Sequence, residues 1–171
     1  MAEYTVTPDS SHYFRLAEGL RAVGELTYPS WFTFDATLSL LDQPPFQIKP
    51  KGFWGTTIEL EQHGNTLLHF TVGWNGNILL HAAFPQQPQQ NFIFKQKGVF
   101  KNQYMLTDDQ DRELLVIQPG FKWKNSTFDF TLFSTERFEA LASKDILMLV
   151  AVHCANYYLT LMMSTTFIAA T

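Results

Sequence analysis

Residues 146–171 carry no formal charge, and neither Pro nor Gly interrupts them. Within that run, residues 146–163 read ILMLVAVHCANYYLTLMM, and all but His153, Asn156 and Thr160 are apolar. A helix that is apolar on every side must be enclosed, either by lipid or by protein. Eighteen residues just reach the length of a membrane span. Three observations favour protein. Only Lys144 stands near the segment, where a membrane boundary usually gathers several cations. His153 and Asn156 sit mid-segment, where lipid burial is costly. His153, Asn156, Thr160 and Ser164 also recur at helical spacing and so form one stripe, which can meet partners in a protein interior. We read residues 144–165 as a central buried helix. The alternative makes residues 144–171 a C-terminal membrane anchor on a β-rich enzyme or small-ligand carrier.

The rest of the chain must then supply the enclosure. Charged residues are 16% of the 171, against about 25% in an ordinary soluble domain. Aromatic residues are 15%, sixteen of them Phe. That apolar content excludes a disordered chain. Strand-like alternation runs through 30–41, 52–61, 66–73, 77–84, 91–95, 98–106, 113–118 and 126–133. Turn residues separate these stretches: His63-Gly64, Asn75-Gly76, the acidic run Asp108 to Asp111, and Pro119-Gly120. Pro44-Pro45 and Pro50 mark a break, and Gln86-Gln87-Pro88-Gln89-Gln90 a polar loop. Two further segments read as helical, 11–22 and 135–142. About ten strands and one apolar helix predict a closed antiparallel β-barrel wrapped around the helix, because closure removes sheet edges. The chain reads as a single domain over 1–171, with 1–28 an N-terminal strand/helix segment.

Asn75-Gly76 is the strongest hairpin signal, since a type I′ turn needs positive φ twice. A two-residue loop there sets Phe70 opposite His81 and His69 opposite Ala82. His69 and His81 then point to opposite faces and cannot share a metal.

Two features carry a family resemblance. One is the stretch YMLTD at 104–108, followed by a turn and RELLVI at 112–117. The other is the apolar helix entered after Leu141-Ala142-Ser143-Lys144-Asp145. Over about residues 50–165 the chain resembles the Tubby C-terminal-like superfamily, which includes LURP-one-related and phospholipid scramblase-like proteins. The resemblance implies a barrel of about twelve strands around one central apolar helix. It also implies a non-enzymatic protein that recognises phospholipid headgroups, a membrane surface or a protein partner. The chain departs from that pattern in having no dense basic patch. The candidate ligand-binding residues are Lys95 and Lys97 on one strand face and Lys122 and Lys124 on another, where two pairs on neighbouring strands would hold a phosphate.

Other chemistry is not expected. A net charge of −4 and a pI near 5.7 argue against nucleic acid. His153 reads as a hydrogen-bonded core residue. Cys154 beside it reads as a small hydrophobe, because helix neighbours point about 100° apart. Asp108, Asp109, Asp111 and Glu113 lack the spacing of a calcium loop. Asp35, Asp129, Glu59 and Glu61 give only a weak glycosidase signal. No cofactor or metal is expected. Trp31, Trp54, Trp74 and Trp123 would line a binding surface only if exposed. The start of the chain lacks a basic segment and an apolar core, so the expectation is a cytoplasmic protein, peripheral at a membrane if it binds lipid.

Overall fold

Twelve strands close into one antiparallel barrel around a helix that follows all of them in the chain. The structure is a computed structural model and describes residues 1–30, 35–51, 57–98, 102–122 and 127–168. The strands are β1 (Ala2–Ser10), β2 (Tyr13–Glu18), β3 (Arg21–Thr27), β4 (Ala36–Leu40), β5 (Phe46–Lys51) and β6 (Thr57–Gln62). They continue as β7 (Asn65–Val72), β8 (Ile78–Ala82), β9 (Gln90–Gln96), β10 (Tyr104–Asp108), β11 (Glu113–Lys122) and β12 (Thr127–Ser134). A short α1 (Glu136–Glu139) leads to α2 (Lys144–Ile168). Each strand pairs with its chain neighbour, and β1 closes the ring on β12, with Ala2 opposite Ser134 and Val6 opposite Phe130.

The strands alternate as a closed wall requires. Tyr4 and Val6, Phe14 and Leu16, Leu38, Ile48, Leu60, Phe94 and Leu132 are among the side chains buried inside. The helix fills the remaining space: Leu147 through Val152, Cys154, Ala155 and Leu159 are all buried. The helix lies close against β3 at Gly24. A Cβ there would come within 2.7 Å of the Ser39 carbonyl oxygen and 3.1 Å of Leu149 Cδ1. From Leu147 to Leu159 the helix is thus the barrel core. This corrects the anchor alternative, which needs the segment outside the β domain. Among the described residues no helix is long and apolar enough to cross a membrane.

Pro119-Gly120 is not a turn but lies within β11, opposite Phe130 and Asp129, and three further local expectations change. Segment 11–22 is not a helix but the β2–β3 hairpin, turning at Gly19 (φ 57°) and the fully exposed Leu20. Phe14 and Leu16 face inward while Arg15 pairs outside with Asp9 at 3.1 Å. That two-residue period serves a wall and not a helix, and the barrel could not close from β1 to β3 without it. Pro50 does not break a strand but lies within β5, opposite Ile58. The described register with β4 ends at Ile48.

The third change is register. Gly73 and not Trp74 pairs with Asn77: Gly73 N–H donates to Asn77 O at 2.8 Å, and Gly76 N–H to Gly73 O at 3.0 Å. The loop is the three residues Trp74, Asn75 and Gly76, a turn followed by a left-handed Gly76 (φ 80°). The two-residue turn with positive φ twice lies instead at His63 (φ 51°) and Gly64 (φ 77°). One extra loop residue flips one strand against the other. Consequently His69 lies directly opposite His81, on the same outer face.

Candidate functional site

Of the four candidate lysines, Lys95 and Lys97 are described with their side chains, and each meets an acid. On β9, Lys95 ion-pairs with Asp111, and Lys97, just past the strand's end, with Glu113 at 2.6 Å. The acidic β10–β11 turn therefore supplies their counter-charge. Within it Asp108 accepts from the backbone N–H of Gln110 and Arg112 and from the Arg112 guanidinium at 2.7 Å. Burial alone would raise the Asp108 carboxyl, but these donors hold it below the usual range. Strands β9 and β11 are not neighbours, because β10 lies between them. Lys122 ends β11 opposite Thr127, and Lys124 lies outside the described residues.

At the end where α2 enters, called the lower end, a polar cluster holds the helix start. Thr135 caps α1, its hydroxyl accepting from Phe138 N–H at 3.3 Å. That places Glu139 beside Tyr4 of β1 and Lys144 of α2. Tyr4 donates its hydroxyl to Glu139 at 3.0 Å, Lys144 donates to Glu139 at 2.8 Å and to Tyr4 at 2.9 Å, and Ser134 donates to Glu139. Burial opposes both charges. Hydrogen bonds and mutual attraction prevail, holding Glu139 below and Lys144 above their ordinary values.

Near the opposite, upper end the helix meets a neutral cluster. Asn156 donates to the Tyr28 hydroxyl at 3.3 Å, and that hydroxyl lies 3.0 Å from His153 Nδ1. Having accepted from Asn156, Tyr28 has its proton for His153, which leaves the ring N–H on Nε2. The Tyr28 and His153 rings stack at 5.6 Å, and Phe70 meets His153 edge-on at 6.2 Å. Burial pushes His153 down to about 4 and Tyr28 and Cys154 above their ordinary ranges. His153 is the hydrogen-bonded core residue expected, and Cys154 is buried beside it. A small apolar cavity is lined by His153, Cys154 and Tyr157 of the helix and by Ile58, Phe70, Val72 and Ile78 of the wall. Its volume of about 10 Å³ holds one water at most, so no substrate fits there.

The same end carries an apolar tip. Trp74 is fully exposed at the head of the β7–β8 hairpin, with Val72 and Leu79 exposed below it. The turn that presents Trp74 is fixed from within by Asn75, whose Oδ1 accepts from Asn77 N–H at 3.1 Å. A Cβ on Gly76 would lie 3.9 Å from the Tyr158 hydroxyl, so the tip stands beside α2. The helix continues past buried Leu159 to Ile168, about 13 Å further at 1.5 Å per residue. Trp31, Trp54 and Trp123 lie outside the described residues.

Sequence reasoning missed Tyr28, Tyr4 and Glu139; Tyr28 meets His153 and Tyr4 meets Glu139 and Lys144 across 125 or more residues. Trp74 was marked only as one of four tryptophans.

These features define a helix-filled, twelve-stranded β-barrel, sealed by ionised groups at one end and bearing an apolar hairpin tip at the other. Comparison of the chain with protein-family models, with curated proteins and with solved structures finds no match.

Proposed function

We propose that the protein is a non-enzymatic, Tubby-like membrane-surface binder that docks on a phospholipid bilayer by the upper end of its barrel. The exposed Trp74 carries this reading. An indole has an apolar body and one N–H donor, which suits the boundary between headgroups and acyl chains. Val72 at the barrel mouth and Leu79 on the outer face are also exposed. The uncharged sequence of residues 160–168 runs toward the same end. A narrow, convex hairpin tip suits insertion between lipids. A stable protein interface needs a broad face of about 800 Å² per partner. Lys95 and Lys97 are already paired, so apolar insertion and not headgroup charge drives the binding. The anchor is weak and reversible, as for other single apolar anchors.

Flotation of the full chain with phosphatidylcholine vesicles, with and without phosphoinositide, tests this. Wild-type protein floats with both, and Trp74→Ser cuts the floated fraction several-fold. Flotation only with phosphoinositide would assign binding to headgroup recognition and overturn the tip-driven reading. Equal flotation of Trp74→Ser, or none for wild type, also overturns it. Capture of a protein partner through Trp74 without any flotation would move the function to protein binding.

A further inference from the structure

One row of polar side chains crosses the outer face from β5 to β9 in consecutive register. Lys49 stands opposite Glu59, Glu59 opposite His69, His69 opposite His81, and His81 opposite Asn91. Backbone bonds bracket the central pair, Gly73 N–H to Asn77 O above it and Ala83 N–H to Leu67 O below it. Hydrogen-bonded pairs recur every second residue, so His69 and His81 form one, with Cα atoms about 5.5 Å apart. Two imidazoles at that spacing can lean onto one ion at about 2 Å from each nitrogen.

Each ring has an oxygen beside its Nδ1. His69 Nδ1 lies 3.4 Å from Glu59 Oε1. His81 Nδ1 lies 2.8 Å from Asn91 Oδ1. Glu59 is itself anchored, accepting from Thr66 Oγ1 at 3.1 Å. With Nδ1–H given to Asn91, the lone pair of His81 resides on Nε2, and the carboxylate beside His69 Nδ1 favours the same tautomer there. Neither Nε2 meets a partner among the described residues. A histidine that ligates a metal is oriented in this way, its other ring nitrogen donating to a carboxylate or carbonyl oxygen.

We propose that His69 and His81 form a two-imidazole surface site for late divalent transition-metal ions, Cu²⁺ ahead of Zn²⁺. Imidazole suits both ions, and for a given set of ligands Cu²⁺ binds more tightly. Among the described residues no group of three His, Cys, Asp or Glu could hold an ion. Water therefore completes the coordination shell, unlike the closed four-ligand shell of a structural zinc site. Glu59 and Asn91 act as positioning residues that fix the two rings. The bound ion cross-links β7 and β8, the strands whose hairpin presents Trp74.

The test uses the tag-free full chain at neutral pH, titrated with CuCl₂ and separately with ZnCl₂. Isothermal calorimetry reads stoichiometry and affinity, and electron paramagnetic resonance of bound Cu²⁺ reads nitrogen coupling. One equivalent of Cu²⁺ with coupling to two nitrogens is expected. His69→Ala and His81→Ala each lower Cu²⁺ affinity at least tenfold and leave at most one imidazole nitrogen. Glu59→Gln lowers it about tenfold, the lower end of the usual effect of an orienting partner. His12→Ala and His63→Ala leave it unchanged. Because both ligands are exposed, circular dichroism of the variants should match wild type. Undiminished Cu²⁺ uptake by the double variant H69A/H81A would place the ion elsewhere and overturn the proposal. So would an absence of uptake by wild type, or tighter binding of Zn²⁺ than of Cu²⁺.

Discussion

At the lower end the helix enters the barrel among charges; near the upper end it is held by neutral groups. Glu139 and Lys144 are about a quarter exposed, so water still screens their charges and two hydroxyls complete their bonds. His153 is 4% exposed, and its partners Tyr28 and Asn156 carry no charge. An enclosed group avoids ionising, because an unpaired charge cannot be buried cheaply. One helix thus uses two chemistries, set by how far each end lies from water. The contrast also assigns roles. The ionised end locks the fold, while the neutral end leaves the surface beside it free to carry apolar residues.

Truncation after Ser143 tests the contrast most severely. Both clusters lose their helix and the barrel loses its core, so cooperative thermal unfolding should vanish from circular dichroism. A truncated chain with an intact melt would return the helix to the anchor reading. Next in size is the acid response of the neutral end. Unfolded His153 takes a proton near 6.5, but folded His153 only near 4. The unfolded state therefore binds more protons in that window, and stability falls as pH drops from 6.5 to 4. The loss attributable to His153 is about 3 kcal/mol. Urea unfolding at several pH values should show that slope in wild type and not in His153→Leu.

Glu139→Ala probes the ionised end. It removes the acceptor shared by Tyr4, Ser134 and Lys144. The cost should be about 2 kcal/mol, a fall in Tm of roughly 5 °C. Glu139 is held below its ordinary value, so its contribution persists at neutral pH and fades only as acid protonates the carboxyl. The smallest effect on stability belongs to Trp74→Ser, within about 0.5 kcal/mol for an exposed residue. The same change should abolish most vesicle flotation. A large stability loss at Trp74 would mean that the tip supports the fold instead.

The barrel and its central helix were legible because both leave periodic marks. The uncharged run from 146 demanded enclosure, and alternation such as Ile78–Leu80–Ala82 supplied a wall. What escaped was decided by single residues or distant partners. Phe14 and Leu16 fit a helical and a strand pattern over so short a span, and only the need to close the ring decides between them. The β7–β8 register depended on whether Gly73 or Trp74 closed the loop, a choice made by one backbone hydrogen bond. That choice brought His69 and His81 together, so a metal pair read as impossible became adjacent. The candidate lysines looked free because Asp111 and Glu113 lie sixteen residues from them. The exposure of Trp74 had no sequence mark at all, since tryptophan most often packs.

Chain order has a further consequence. Eleven of the twelve strand pairings join consecutive strands, and only β1 with β12 spans the chain. During synthesis the hairpins can therefore form as they emerge. Their inward Phe and Leu side chains have nothing to cover them until the ribosome has released the sequence through Leu159. Closure and core arrive together, late, and over long sequence separation, which slows folding and exposes sticky intermediates. A prematurely terminated chain is then a string of uncovered hairpins, ready substrate for chaperones and proteases. The barrel in effect inspects its own translation: only a chain read through to the helix can hide its interior and persist.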